Sequence, residues 1–189
     1  MDRREFVAGL LRERGDLMVV TGLGTPTFDV AACGDHPLNF HLWGAMGSAT
    51  MVGLGLALAR KDRRVAVITG DGDMLMGLGS LATVAAQRPA NLAIVVLDNE
   101  KFGETGRQRG LTGSRTDITA VAKGFGIAKT MTVTELSAVG ELAELLFKMP
   151  GPVLAVAKIA ITDDPWALPE KDGAAIAHRF RAALGVGTG

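Results

Sequence analysis

Two apolar runs, Val65–Thr69 and Leu92–Leu97, constrain what this chain can fold into more than any other feature. Both are rich in Val, Ile and Leu and lack polar alternation, the pattern of a strand buried on both faces of a parallel sheet. Met74 to Gln87, between them, reads as a helix. Strand–helix–strand units of this length return parallel and right-handed, so both strands end at one edge of the sheet. The first run ends in Gly70-Asp71-Gly72-Asp73 and the second in Asp98-Asn99-Glu100. The 28 positions between Asp71 and Asn99 therefore bring two oxygen-bearing side chains to the carboxyl edge, where open α/β sheets bind ligands.

The rest of the chain follows the same rhythm. Phe6, Val7, Leu10 and Leu11 recur at helical spacing, predicting a surface helix over roughly 3–14, followed by a strand at Leu17–Thr21. Short elements are expected at 27–33 (helix) and 39–42 (strand), then a glycine turn and an apolar helix to about Arg60. Past a long loop at 98–116, the pattern predicts a helix near 117–123, a strand near 127–131, a helix over 134–148 capped by Thr134, and a strand at Val153–Ala157. The expected architecture is α/β: a single doubly wound parallel-sheet domain with helices on both faces, spanning 1–157. Residues 158–189 differ in texture. Asp163, Asp164, Pro165 and Pro169 break regular structure before one last helix near Ala174–Leu184, so this stretch is read as a C-terminal arm packing on the domain or on a partner.

Composition excludes several classes. Twenty basic residues balance twenty acidic ones with no basic face or tail, so no nucleic-acid or lipid-headgroup partner is expected and a small-molecule ligand is. A single cysteine, Cys33, leaves no internal disulfide and no zinc cluster; with no apolar leader after Met1, this predicts a cytoplasmic protein. The uncharged run Leu42–Ala59 is 18 residues long, but Gly44, Gly47, Gly53 and Gly55 mark a tightly packed buried helix rather than a membrane span. Gly22-Leu23-Gly24 after a strand suggests a dinucleotide turn, yet Thr27 stands where the third glycine belongs.

The two strand ends carry the chemistry. Gly70 and Gly72 let the backbone turn sharply near a ligand, and a helix starting near Asp73 offers unpaired N–H groups to phosphate. Asp71 would repel that phosphate unless a cation intervened. Magnesium fits, because it takes one or two protein oxygens together with phosphate oxygens. Asp71 supplies a carboxylate, Asn99 an amide oxygen, and a loop carbonyl near Lys101 a third ligand.

Gly70-Asp71-Gly72 and its spacing to Asn99, together with Trp43-Gly44-Ala45-Met46-Gly47 upstream and Glu104-Thr105-Gly106 downstream, resemble the thiamine diphosphate-dependent 2-oxoacid decarboxylase superfamily. The resemblance covers the chain to about residue 157. Within the superfamily it is closest to the diphosphate-binding half of the sulfopyruvate and phosphonopyruvate decarboxylases. It implies the thiamine diphosphate-binding fold, thiamine diphosphate and Mg2+ as cofactors, and conversion of a small 2-oxoacid to an aldehyde and CO2. By position it implies that Asp71, Asn99 and the Lys101 carbonyl hold the metal, and that Gly70, Gly72 and Asp73 form the diphosphate turn. Met46 would lie beneath the cofactor, and the Gly44 carbonyl would accept from its aminopyrimidine. Asp73 departs from the serine often found there. Glu104, Thr105 and His41 become candidate catalytic residues, with Gln108 as a further contact and Glu104 as an acid.

Members of the superfamily bind the aminopyrimidine on a second α/β domain, whose glutamate activates the cofactor. Only one such domain fits in 189 residues, so the resemblance implies a separate pyrimidine-binding subunit in a hetero-oligomer. A carboligase subunit of the acetolactate synthase kind would use the same half-site, and a non-catalytic cofactor-binding module is a third reading. Arg107, Arg109 and Arg115 in the 98–116 loop suit an anionic substrate.

Overall fold

Strand β1 (Met18–Thr21) lies between β2 (Asn39–His41) and β3 (Val65–Gly70), and the sheet continues through β4 (Leu92–Asp98). Beyond β4 come β8 (Val153–Lys158) and, at the edge, β7 (Lys129–Val133), giving the order β2-β1-β3-β4-β8-β7 with every neighbouring pair parallel. A separate two-stranded antiparallel ribbon pairs β5 (Lys101–Phe102) with β6 (Gln108–Arg109). These positions come from a computed structural model, which describes residues 1–187.

Side chains alternate across the sheet and give it two cores. Val19, Ala66, Ile68, Val95 and Ala155 face α1 (Arg3–Leu11), α2 (Thr25–Ala32) and α7 (Val139–Phe147). Val20, Val65, Val67, Ile94 and Val156 face the opposite layer. That layer contains α3 (Ala49–Ala59), α4 (Asp71–Met76), α5 (Ser80–Gln87), α6 (Ile118–Phe125) and α8 (Gly173–Ala183). The doubly wound α/β expectation holds. The chain leaves β1 for the first layer through α2 and leaves neighbouring β3 for the second layer through α4, so a crevice opens between two diverging loops at the carboxyl edge.

Local chemistry explains most element ends. Asp2 accepts from the N–H of Glu5 at 2.8 Å and starts α1, and Asp117 accepts from the N–H of Ala120 at 3.0 Å and starts α6. Gly126 ends α6 in the left-handed region at φ +104°. The uncharged run 42–59 becomes α3 only from Ala49, with Gly53 pressed against Val67, where a side chain would overlap. No helix among the described residues is long and apolar enough to cross a membrane.

Three details correct the sequence reading. The single helix expected over 74–87 is two, because Gly77 passes against the carbonyl of Gly47 with no room for a Cβ and the chain breaks there. Thr134 caps nothing: a 3-10 turn at Leu136–Ala138 leads into α7 instead. The 98–116 stretch is not simply loop, since it holds the β5–β6 ribbon around a 3-10 turn at Gly103–Thr105.

Candidate functional site

The crevice is a cleft of about 170 Å³. One wall is the β1–α2 loop with Gly24 and Pro26, and the floor is Gly70–Asp73. Asn99, Lys101 and the Gly103–Thr105 turn form the far wall, and Met46 closes one side.

Asp71 opens α4 and is only 3% exposed. Burial, and then the neighbouring Asp98 carboxylate, push its carboxyl up to about 6, against the pull of a hydrogen bond from Thr112 and backbone N–H groups. A cation beside Asp71 would oppose both upward pushes by favouring the ionised carboxylate. Among the described residues no three His, Cys, Asp or Glu side chains form a metal cage. A hard cation here would therefore lean on one carboxylate, an amide and ligand oxygens, which is the habit of magnesium. Asn99 lines the same cleft, and its Oδ1 accepts from the N–H of Lys101 at 2.8 Å, fixing the amide at the strand end. Helix α4 begins two residues earlier than expected and has six residues, so what it could offer an anion is its first-turn N–H groups rather than a long dipole.

Asp73 has another job. Its carboxylate accepts from the Thr69 hydroxyl and from the N–H of Gly47, and it presses on Gly22, where a Cβ would overlap both Asp73 and Thr69. Both oxygens thus help join the 21–24, 43–47 and 70–73 loops. Glycine at 22 follows from that contact, not from a dinucleotide turn.

The remaining sequence candidates divide. Glu104 is exposed at the mouth and reaches across to Gly24, whose missing Cβ would lie 2.6 Å from Oε1. The Thr105 hydroxyl also lies at the mouth but donates to Oε1 of Gln108 at 2.9 Å. Gly44 is exposed in the Met46 loop and is not part of the cleft lining. His41 is not among the residues that line the cleft. It is 4% exposed, its Nδ1 is 2.8 Å from the Thr21 hydroxyl, and burial pulls its pKa down to about 4. Arg107 pairs with Asp163 of the arm, and Nε of Arg109 donates to the Gly113 carbonyl at 2.9 Å; Arg115 is exposed.

The C-terminal arm packs on its own domain. Arg3 pairs with Asp164 at 3.1 Å, Trp166 stacks on Phe28 at 5.3 Å between centroids, and Nε1 of Trp43 donates to the Glu170 carbonyl at 2.8 Å. Sequence reasoning missed Asp98, Thr112 and Lys158, which surround Asp71 from behind. Only Asp98, next to Asn99, carried a signal; the others meet it through strand register and loop folding.

Residues 22–157 match the thiamine pyrophosphate enzyme family in its C-terminal TPP binding domain. The chain belongs to that family. The matched stretch begins at the β1–α2 wall, just after the end of β1, and reaches into β8, so it contains the ends of β3 and β4 that form the floor and far wall of the cleft.

The chain is similar to the sulfopyruvate decarboxylase subunit beta of Methanothermobacter thermautotrophicus, 40% identical over 80% of this chain and 76% of that subunit. The subunit beta of Methanocaldococcus jannaschii is 41% identical over 63% of this chain and 62% of its own length. The phosphonopyruvate decarboxylase of Streptomyces viridochromogenes is 39% identical over 88% of this chain, which spans only 42% of that enzyme. Among solved structures, a thiamin diphosphate-dependent enzyme from Mycobacterium smegmatis superposes with a TM-score of 0.74 at 22% identity, covering 86% of this chain and 32% of that one, a likeness of fold.

Proposed function

We propose that this chain is the diphosphate- and magnesium-holding subunit of a decarboxylase that converts a small 2-oxoacid, of the sulfopyruvate or phosphonopyruvate type, to an aldehyde and CO2. The observation that carries this reading is the meeting of Asp71 and Asn99, from two separate strand ends, in one cleft faced by Met46.

In this reading Asp71, Asn99 and the backbone of Lys101 hold magnesium, and the N–H groups of Gly72 and Asp73 meet the diphosphate. Met46 would offer the bound cofactor an apolar rest, and the Gly44 carbonyl, in the same loop, would accept from its amino group. Bound there, thiamine diphosphate would supply a sink for the electron pair left on the substrate when its carboxylate departs as CO2. Glu104 and Thr105 stand at the mouth, where a substrate would approach, and Glu104 is placed to exchange a proton there.

The reading includes a second, pyrimidine-binding subunit that supplies the activating glutamate. The relatives named subunit beta support this. An exposed free thiol at Cys33 suits a reducing, cytoplasmic setting.

The test is uptake of thiamine diphosphate with magnesium by the full chain, wild type against Asp71→Ala, followed by assay of the reconstituted two-subunit complex on a panel of 2-oxoacids. Uptake that needs Asp71 and aldehyde release from sulfopyruvate or phosphonopyruvate are expected. Cofactor binding that survives Asp71→Ala would overturn the metal assignment, and a carbon–carbon ligated product would make the subunit part of a carboligase.

A further inference from the structure

The ribbon loop over the cleft is exposed from Lys101 through Arg109. Gly110 and Thr112 are the buried points that follow. Both lie on the proposed metal carboxylate. A Cβ on Gly110 would sit 3.2 Å from Oδ2 of Asp71 and 3.1 Å from the Glu100 carbonyl oxygen, a tight fit that would press on both. The N–H of Gly110 donates to that same carbonyl at 2.7 Å. The Thr112 hydroxyl lies 3.0 Å from Oδ2 of Asp71 and 2.8 Å from Oδ1 of Asp98, within donor reach of both.

The attachment is braced from the sheet. Nζ of Lys158 donates at 2.7 Å to Oδ2 of Asp98 and at 2.7 Å to Oε1 of Glu100. Asp98 also accepts from the N–H of Glu100 at 3.0 Å, holding Glu100 in the left-handed region at φ +61°, an uncommon conformation for a residue with a side chain. Asp71 therefore takes its orientation from Thr112, and Thr112 takes its own from a rigid strand pair.

We propose that Thr112 is a positioning residue that aims the Asp71 carboxylate and fastens the 101–109 ribbon to it, so that magnesium–diphosphate binding and closure of the ribbon are one coupled event. This rests on the reading of Asp71 as a metal ligand. A bound cation that draws on Asp71 tightens the strut that carries Glu104 and Thr105, and loss of the strut loosens both ends.

The experiment compares wild type, Thr112→Val, which deletes only the hydroxyl, and Thr112→Ser, which restores it. On the full chain, uptake of thiamine diphosphate with magnesium is measured by calorimetry, and hydrogen exchange is followed at the amides of Arg107 and Gly110, both hydrogen-bonded within the loop. Removing a group that orients a metal ligand typically costs about 10–100-fold in affinity, so Thr112→Val should bind at least about tenfold more weakly. Its loop amides should exchange several-fold faster and gain less protection on cofactor addition, with Thr112→Ser near wild type in all three. Unchanged affinity, or weakened affinity with unchanged loop exchange, overturns the proposal. A parallel Asp71→Ala sample separates the two readings: if it binds the cofactor as wild type does, the metal assignment and the coupling both fall. Loop exchange without cofactor then decides the tether by itself.

Discussion

Asp98 and Lys158 occupy facing positions on the parallel neighbours β4 and β8, and Nζ of Lys158 lies 2.7 Å from Oδ2 of Asp98. The carboxylate is 2% exposed and the amine about a third exposed, so the pair is a buried anion balanced by a half-wet cation. Lys158→Met would leave Asp98 charged and uncompensated. We expect it to cost about 1–3 kcal/mol, a discount on fully buried pairs because solvent reaches the lysine. Adding Asp98→Asn should recover part of the loss. Urea unfolding of the four proteins of this cycle checks the expectation, and a Lys158→Met midpoint equal to wild type would mean that the pair contributes nothing.

The Asp71 carboxyl provides a pH signature. Its folded pKa, about 6, is above the ordinary 3.8, so it favours the folded state below about pH 4 and loses that contribution as pH rises through 6. Without cofactor, Asp71→Asn should equal wild type near pH 4 and be the more stable protein at pH 8, by on the order of 2 kcal/mol. His41, held neutral, acts in the opposite direction: its contribution is present above pH 6.5 and lost as pH falls toward 4. That effect is common to both proteins and cancels in the difference. Magnesium with thiamine diphosphate should reverse the order at pH 8. Thermal unfolding at three pH values reads this, and a difference that stays constant with pH would refute it.

Much of this site is legible in the sequence because two properties survive without coordinates. Continuous apolar runs identify buried parallel strands, and a right-handed crossover then places Asp71 and Asn99 at one edge. What stays hidden depends on distant contact. The break at Gly77 depends on the carbonyl of Gly47, thirty positions upstream; the contacts of the Asp73 carboxylate with Gly22 and Gly47 likewise join loops that lie far apart in the chain. His41 sits at a strand end, as a catalytic residue would, but on edge strand β2, with its ring turned to Thr21. Thr112 and Lys158 are ordinary polar residues until register and loop path bring them together behind Asp98.

The Asp73 strut can be tested sterically. Gly22→Ala places a methyl group in the space of the Asp73 carboxylate and Thr69 hydroxyl. Overpacking of this kind costs about 1–3 kcal/mol, and here it should also disturb the 70–73 turn. Asp73→Ser shortens the obstructing side chain, so Gly22→Ala should cost less in an Asp73→Ser background than in wild type. The coupling energy from denaturant unfolding measures this directly. Strict additivity would show that the two positions do not meet.

The arm supplies the last test. Residues 160–172 contain no helix or strand and are held by the Arg3–Asp164 pair, the Trp43–Glu170 hydrogen bond and the stack of Trp166 on Phe28, with ring planes 11° apart. Trp166 itself is 71% exposed, so little of the global core depends on it. An aromatic pair adds about 0.5–1.5 kcal/mol beyond area burial. Trp166→Ala should therefore leave the unfolding midpoint nearly unchanged while raising local opening of the arm by roughly fivefold. Tryptic cleavage after Lys171, an exposed site within the arm, reports that opening. Cleavage as slow as in wild type would show that the ion pair and the Trp43 hydrogen bond hold the arm without the stack, whereas a large fall in the midpoint would make Trp166 part of the core.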